Sequence, residues 1–124
     1  MELIIDRSRL LPVLQIVIGV VERRQPLPIL ANILLTITEE QVQITASDME
    51  VELVSSIKMP TSGKGEITLP ARKLLDICRA LPDDANIKIK INGDRVQILS
   101  GKSRFTLATL PPHEYPIIEM QEPV

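Results

Sequence analysis

A chain of 124 residues has the size of one domain and can bury roughly two-thirds of its unfolded surface, so folding requires neither metal nor disulfide. Hydrophobic residues make up 44% but aromatics only 2%, so the core is aliphatic, which favours strands with helices packed on them. The 14 basic and 16 acidic residues give a net charge of −2, which argues against a tight, generally basic nucleic-acid binder but leaves room for one local basic surface. The single cysteine, Cys78, excludes an internal disulfide and fits a reducing, cytoplasmic setting. Met1-Glu2-Leu3-Ile4-Ile5-Asp6 places acids where a secretory signal carries bases. The longest apolar stretch, Val13 to Val21, is interrupted by Gln15 and too short for a bilayer, so no membrane association is expected.

In chain order, Leu3-Ile4-Ile5 reads as a short strand. Asp6 or Ser8 then caps a helix whose Leu10, Leu11, Leu14 and Val17 recur at helical spacing. Pro12 removes one hydrogen bond and predicts a kink, and Gly19 is the expected stop. Ile29 to Thr38 reads as a long strand. Glu39-Glu40 turns into Val42-Gln43-Ile44-Thr45, and Met49, Val51 and Leu53 alternate with Glu50, Glu52 and Val54 in a last strand. Lys58 to Lys64 reads as a connector. Ile67-Thr68-Leu69 is the next strand, followed by a helix from Ala71 to about Leu81 with Leu74, Leu75, Cys78 and Leu81 on one side, ended by Pro82. Ile87 to Ile91 alternates as a half-buried strand, Asn92-Gly93 marks a hairpin, and Arg95–Leu99 and Arg104–Leu110 follow. Pro111 onward is rich in Pro and Glu, lacks periodicity and reads as a linker.

These segments repeat. Ile5 to Leu11 aligns with Leu69 to Leu75, Val42-Gln43-Ile44 with Val96-Gln97-Ile98, and Asp48 to Leu53 with Lys102 to Leu107. The offset falls from 64 to 54, so the first copy carries ten extra residues. The expected fold is therefore α+β: a duplicated strand-helix-three-strand unit, about 1–59 and 65–110, with two helices on one face of a pseudo-twofold antiparallel sheet, and 111–124 as linker.

Four segments carry a family resemblance: Leu27-Pro28-Ile29-Leu30-Ala31-Asn32, Ala46-Ser47-Asp48-Met49-Glu50, Leu69-Pro70-Ala71-Arg72-Lys73, and Gly101 to Pro111. In order and spacing they resemble the first domain of bacterial replicative sliding clamps, the DNA polymerase III beta subunits. The resemblance implies the DNA-clamp fold and a non-catalytic role. Three such domains form one chain, and two chains close head to tail into a ring around duplex DNA, with helices lining the hole. It also implies a second protomer as partner, and a polymerase and a clamp loader engaged through later domains. Contacts to DNA in such a ring are weak enough to slide, which suits the mildly acidic balance.

The same resemblance nominates site residues. Arg24 matches a family arginine at the rim of the hole, and Arg23 lies beside it where the family often has a small residue. Arg72 and Arg79 share a helix face with Asp76, opposite the leucines, and are expected to meet phosphates; Arg7 and Arg9 are candidates of the same kind. Phe105 and Leu107 share one face of the final strand and are candidate anchors between protomers, with Lys73, Lys102 and Arg104 meeting acids on the partner. Lys102 and Arg104 occupy positions aligned with Asp48 and Glu50, which suggests edges of opposite charge.

No catalytic, metal or cofactor site is expected. Cys78 falls on the leucine side of its helix and His113 in the linker; Asp48, Glu50 and Glu52 lack a His or Cys to join them; Gly63-Lys64-Gly65 lacks the spacing of a phosphate-binding loop. A saddle-shaped DNA-bending protein built from a duplicated unit is one alternative, but it needs apolar wedges, and the chain offers only Phe105 and Tyr115 as aromatics. A plain protein-interaction domain is the other.

Overall fold

The computed structural model describes residues 1–21, 28–48 and 50–116. Among the described residues, eight strands and two helices run in the order β1 (Glu2–Asp6), α1 (Arg7–Val21), β2 (Asn32–Ile37), β3 (Gln41–Ser47), β4 (Glu52–Lys58), β5 (Gly65–Pro70), α2 (Ala71–Ala80), β6 (Asn86–Asn92), β7 (Arg95–Ser100) and β8 (Ser103–Ala108). Short 3-10 turns stand at Pro28–Ala31 and Pro112–Glu114.

The strands divide into two antiparallel sheets of four, not one continuous sheet. One has the order β1-β6-β7-β8 and the other β4-β3-β2-β5. Each repeat therefore lends its first strand to the other. β1 pairs with β6, Leu3 opposite Ile89 and Ile5 opposite Ile87; β5 pairs with β2, Leu69 opposite Ile33 and Ile67 opposite Leu35. The matched positions keep the offset of 54, because Ile33 and Leu35 stand to β5 as Ile87 and Ile89 stand to β1. The ten extra residues are also accounted for. α1 has 15 residues against 10 in α2, and positions 22–31 stand where α2 is followed only by positions 81–85.

The amphipathic pattern explains the layering. Leu10, Leu14 and Val17 from α1 and Leu74, Leu75 and Cys78 from α2 are fully buried, as are Ile33, Leu35, Ile44, Leu69, Ile87, Ile89, Val96 and Ile98 from the inward faces of both sheets. These residues join one aliphatic core. The helices pack on each other, α1 against β1, β3 and β4, and α2 against β5.

Several local expectations change. α1 runs unbroken through Pro12 and past Gly19 to a buried Val21. Pro12 lies on the exposed side of the helix, where the amide hydrogen bond it cannot donate is within reach of water, so the cost is small. Gly19 is also on the exposed side, where a Cβ would meet nothing. The expected strand from Ile29 begins only at Asn32, because Pro28–Ala31 coils into a 3-10 turn that buries Ile29 and Leu30. The last strand of the first unit is Glu52–Lys58, so Val51 precedes it and the connector shortens to Met59–Lys64.

The segment after Pro111 does not leave the domain as a bare linker within the described residues. Pro112–Glu114 forms a turn, and Tyr115, only 4% exposed, packs with Ile29, Leu30 and Leu34 in a second small cluster. Its hydroxyl donates to the Thr45 carbonyl at 3.3 Å. Just before it, the buried Thr68 hydroxyl accepts from Asn32 Nδ2 at 3.0 Å and from the Leu110 amide at 3.1 Å, and donates to the Leu110 carbonyl at 2.7 Å. The chain leaving β8 is thus fastened across the neighbouring sheet.

Candidate nucleic-acid and subunit interfaces

α2 is built to present charge outward. Leu74, Leu75 and Cys78 face the core, so Arg72, Asp76 and Arg79 emerge on the opposite, exposed side at helical spacing. Arg79 also lies in the last turn, where a cation complements the helix dipole. Arg23 and Arg24 lie outside the described residues. Arg7 is engaged locally: its Nε donates to the Cys78 carbonyl at 2.6 Å and its Nη1 meets Asp83 at 3.1 Å, with the side chain 14% exposed. It ties the start of α1 to the end of α2. Arg9 lies 3.7 Å from Asp6 and also donates to the Lys58 carbonyl.

β8 is an outer edge, bonded only to β7 within its sheet. Phe105 and Leu107 both point to the helix side, opposite Ile98 and Val96. Leu107 is 8% exposed and Phe105 is half-buried against the core, so both have a foot in the domain's own packing. Beside them runs a groove of about 340 Å³ lined by Lys73, Asp76, Ile77, Phe105, Thr106 and Leu107. The edge and the helix together shape an apolar-floored slot, with a lysine and a carboxylate at its margin. Ile77 was not singled out from the sequence; its signal was the helical spacing that sets it on the same side of α2 as Lys73. Lys102 and Arg104 are exposed at the start of this edge.

The alignment behind the proposed reversal of charge does not hold: Arg104 loses its acidic counterpart, while Lys102 falls on Glu52. Val42 opposite Ile57 corresponds to Val96 opposite Leu107, so Leu107 matches Ile57 and Arg104 matches Val54. The turn before β4 is longer than the one before β8, which shifts the alignment. Asp48 belongs to that turn: its Oδ1 accepts the amides of Glu50 at 2.9 Å and Val51 at 2.7 Å. Its carboxylate shapes backbone, and among the described residues no group of three His, Cys, Asp or Glu is arranged to hold a metal. Cys78 is buried, and burial pushes its thiol up to about 11 against the opposing influence of Arg7. That is the reverse of an activated nucleophile. His113 lies in the 3-10 turn with an exposed side chain. No helix among the described residues is long and apolar enough to cross a membrane.

The duplicated units, exchanged first strands and paired helices define an α+β domain of the DNA-clamp fold. Known proteins agree. Residues 1–119 match the family described as DNA polymerase III beta subunit, N-terminal domain. The chain is 49% identical over 120 residues to the beta sliding clamp of Pseudomonas putida and 51% identical over 120 residues to that of Vibrio cholerae, covering 96% of this chain and 33% of each relative. Among solved structures, a DNA polymerase III subunit beta from Pseudomonas aeruginosa bound to griselimycin superposes with a TM-score of 0.91 at 47% identity, covering 98% of this chain and 33% of that one. A Caulobacter crescentus sliding clamp gives 0.91 at 38% identity, covering 98% and 34%. The chain belongs to the DNA polymerase III beta subunit family and corresponds to its N-terminal domain. It spans about a third of the length of the curated relatives it matches.

Proposed function

We propose that this domain is one segment of a cytoplasmic, ring-shaped sliding clamp that encircles duplex DNA and tethers a replicative polymerase. The observation that carries the reading is the exposed face of α2, with Arg72 and Arg79 opposite a wholly buried leucine face. In a ring lined by helices, this face and Arg24 meet phosphates without reading bases, so binding is weak, salt-dependent and independent of sequence. The β8 edge and its groove take a neighbouring domain of a second protomer, with Phe105 and Leu107 as the apolar anchors and Lys73, Lys102 and Arg104 as its charged rim. The role is non-catalytic; polymerase and clamp loader act through later domains.

A saddle-type DNA bender is disfavoured. It needs exposed wedges, whereas Tyr115 is buried and Phe105 packs against the core. The test is duplex-DNA titration of the complete clamp at several salt concentrations. Arg24→Ala, or Arg72→Ala with Arg79→Ala, should weaken binding on all sequences alike, and each lost phosphate contact should lower the salt slope by about one. Unchanged affinity and slope in both variants would remove the DNA assignment.

A further inference from the structure

We infer that the outward side of the β1-β6-β7-β8 sheet, at its β1 margin, is a docking site for a short extended acidic peptide of a partner protein. Three observations meet there. The first is an open strand edge. β1 is bonded only to β6, and the exchange of bonds between Met1 and Ile91 fixes the phase of the ladder. Leu3 and Ile5 then bond to β6, so the amides and carbonyls of Glu2 and Ile4 point to the free side. The Glu2 carbonyl is taken by the Ser62 hydroxyl at 2.8 Å, which leaves Ile4 as the residue that presents a donor and an acceptor to a visiting strand.

The second is a cavity on that same side. An open hollow of about 350 Å³ is bordered by Glu2, Leu3, Ile4, Pro60, Thr61 and Ser62. Ile4 stands at its border with 56% of its surface exposed, a large apolar group that its own domain leaves in water. An apolar side chain of a peptide paired to Ile4 falls into this space.

The third is charge. Ile87, Ile89, Val96 and Ile98 point inward, so Lys88, Lys90 and Arg95 point outward from the middle of the sheet. Lys88 stands directly opposite Ile4, and Lys90 opposite Glu2. The Lys88 ammonium already reaches over β1 to the Glu2 carboxylate, at 3.3 Å, with both side chains well exposed. A peptide carboxylate lying along β1 is within the reach this ion pair demonstrates, and would share or displace Glu2. Cations over an open edge and an apolar hollow fit an acidic strand with apolar alternation. They fit single-stranded nucleic acid less well, because this sheet face carries no aromatic side chain on which bases stack. The site is separate from the α2 face and from the β8 groove.

The test uses the complete clamp and a fluorescein-labelled octapeptide alternating glutamate and leucine, read by anisotropy. The glutamate peptide should bind and its lysine-for-glutamate counterpart should not. Lys88→Glu with Lys90→Glu should weaken binding by about tenfold or more, as reversal of two exposed ion pairs predicts. Glu2→Gln should tighten it by removing the competing carboxylate. A peptide N-methylated at alternate amides, which cannot pair with an edge, should fail on the unaltered protein. Equal binding of the lysine peptide, or indifference to the double charge reversal, would overturn the inference. So would equal binding of the N-methylated peptide, or displacement of the glutamate peptide by an oligo(dT) of the same length at equal concentration.

Discussion

Replacing Tyr115 asks whether the segment after Pro111 is linker or part of the domain. A bare linker would tolerate Tyr115→Ala within about 0.5 kcal/mol, as surface substitutions do. The geometry predicts far more. The ring lies against Ile29, Leu30 and Leu34 at 4% exposure, and the hydroxyl donates to Thr45. A buried tyrosine withdraws roughly 150–250 Å² from water, which at about 25 cal/mol per Å² sets an upper bound of about 4–6 kcal/mol. The cluster is small and near the chain end, so partial collapse is easy and about 3 kcal/mol is the expected loss. Tyr115→Phe keeps the ring and removes only a 3.3 Å hydrogen bond, so about 1 kcal/mol is expected. Urea unfolding of this chain, followed by far-ultraviolet circular dichroism, gives both values. A chain truncated after Pro111 should lose at least as much as Tyr115→Ala. If Tyr115→Ala melts within 0.5 kcal/mol of the parent, the packing argument for this segment fails.

Thr68→Val removes the hydroxyl that serves Asn32 and both polar backbone groups of Leu110; urea midpoints should report a loss of about 2–3 kcal/mol, more than a single hydrogen bond accounts for. Alkaline pH should destabilise the fold. Burial raises Cys78 from 9.0 to about 11 and Tyr115 from 10.0 to about 12, so the unfolded chain releases these protons first. Their stability contribution is intact below pH 9 and lost progressively as pH rises to 12, and Cys78→Ala should remove the earlier part of the decline in a pH series of urea melts. Phe105→Ala with Leu107→Ala in the complete clamp should shift sedimentation toward monomer and also lower the melting temperature, because Leu107 is buried in its own domain as well as bordering the groove. A variant that stays dimeric would remove the interface role.

The repeat was legible because inward residues obey a strict rhythm. Leu10, Leu14 and Val17 announced α1, and Ile87, Ile89 and Ile91 announced β6, from periodicity alone. Both helix starts followed from the aligned segments, and α1 and α2 begin at Arg7 and Ala71, the expected 64 residues apart. What pattern did not carry was pairing. Nothing in the alternation of β1 distinguishes β6 from β2 as its neighbour, since either strand offers the same apolar face. The turn before β4 was misjudged because Asp48 through Val51 imitates an alternating strand, while the Asp48 carboxylate folds its own backbone instead. The sign comparison built on that register changed with it, since Arg104 stands on Val54 and Lys102 on Glu52. For the site, the outward face of α2 was readable as the complement of its leucines. The β8 groove needed three dimensions, because Ile77 and Phe105 lie 28 positions apart in sequence on different elements. Arg7 shows the limit of reading charge from sequence: its guanidinium closes a helix junction, with 14% of the side chain left to solvent.

The exchange of first strands also sets an order on the ribosome. β1 is the first element made, yet its partner β6 ends only at Asn92. Until that point has left the exit tunnel, the N-terminal strand has no ladder to join, and Leu3 and Ile5 wait with α1 on an unfinished core. The first repeat by itself therefore holds no strand for β1 to pair with in its native register. A polypeptide stalled before β6 should leave β1 open to protease, and β1 should become protected once β6 is available.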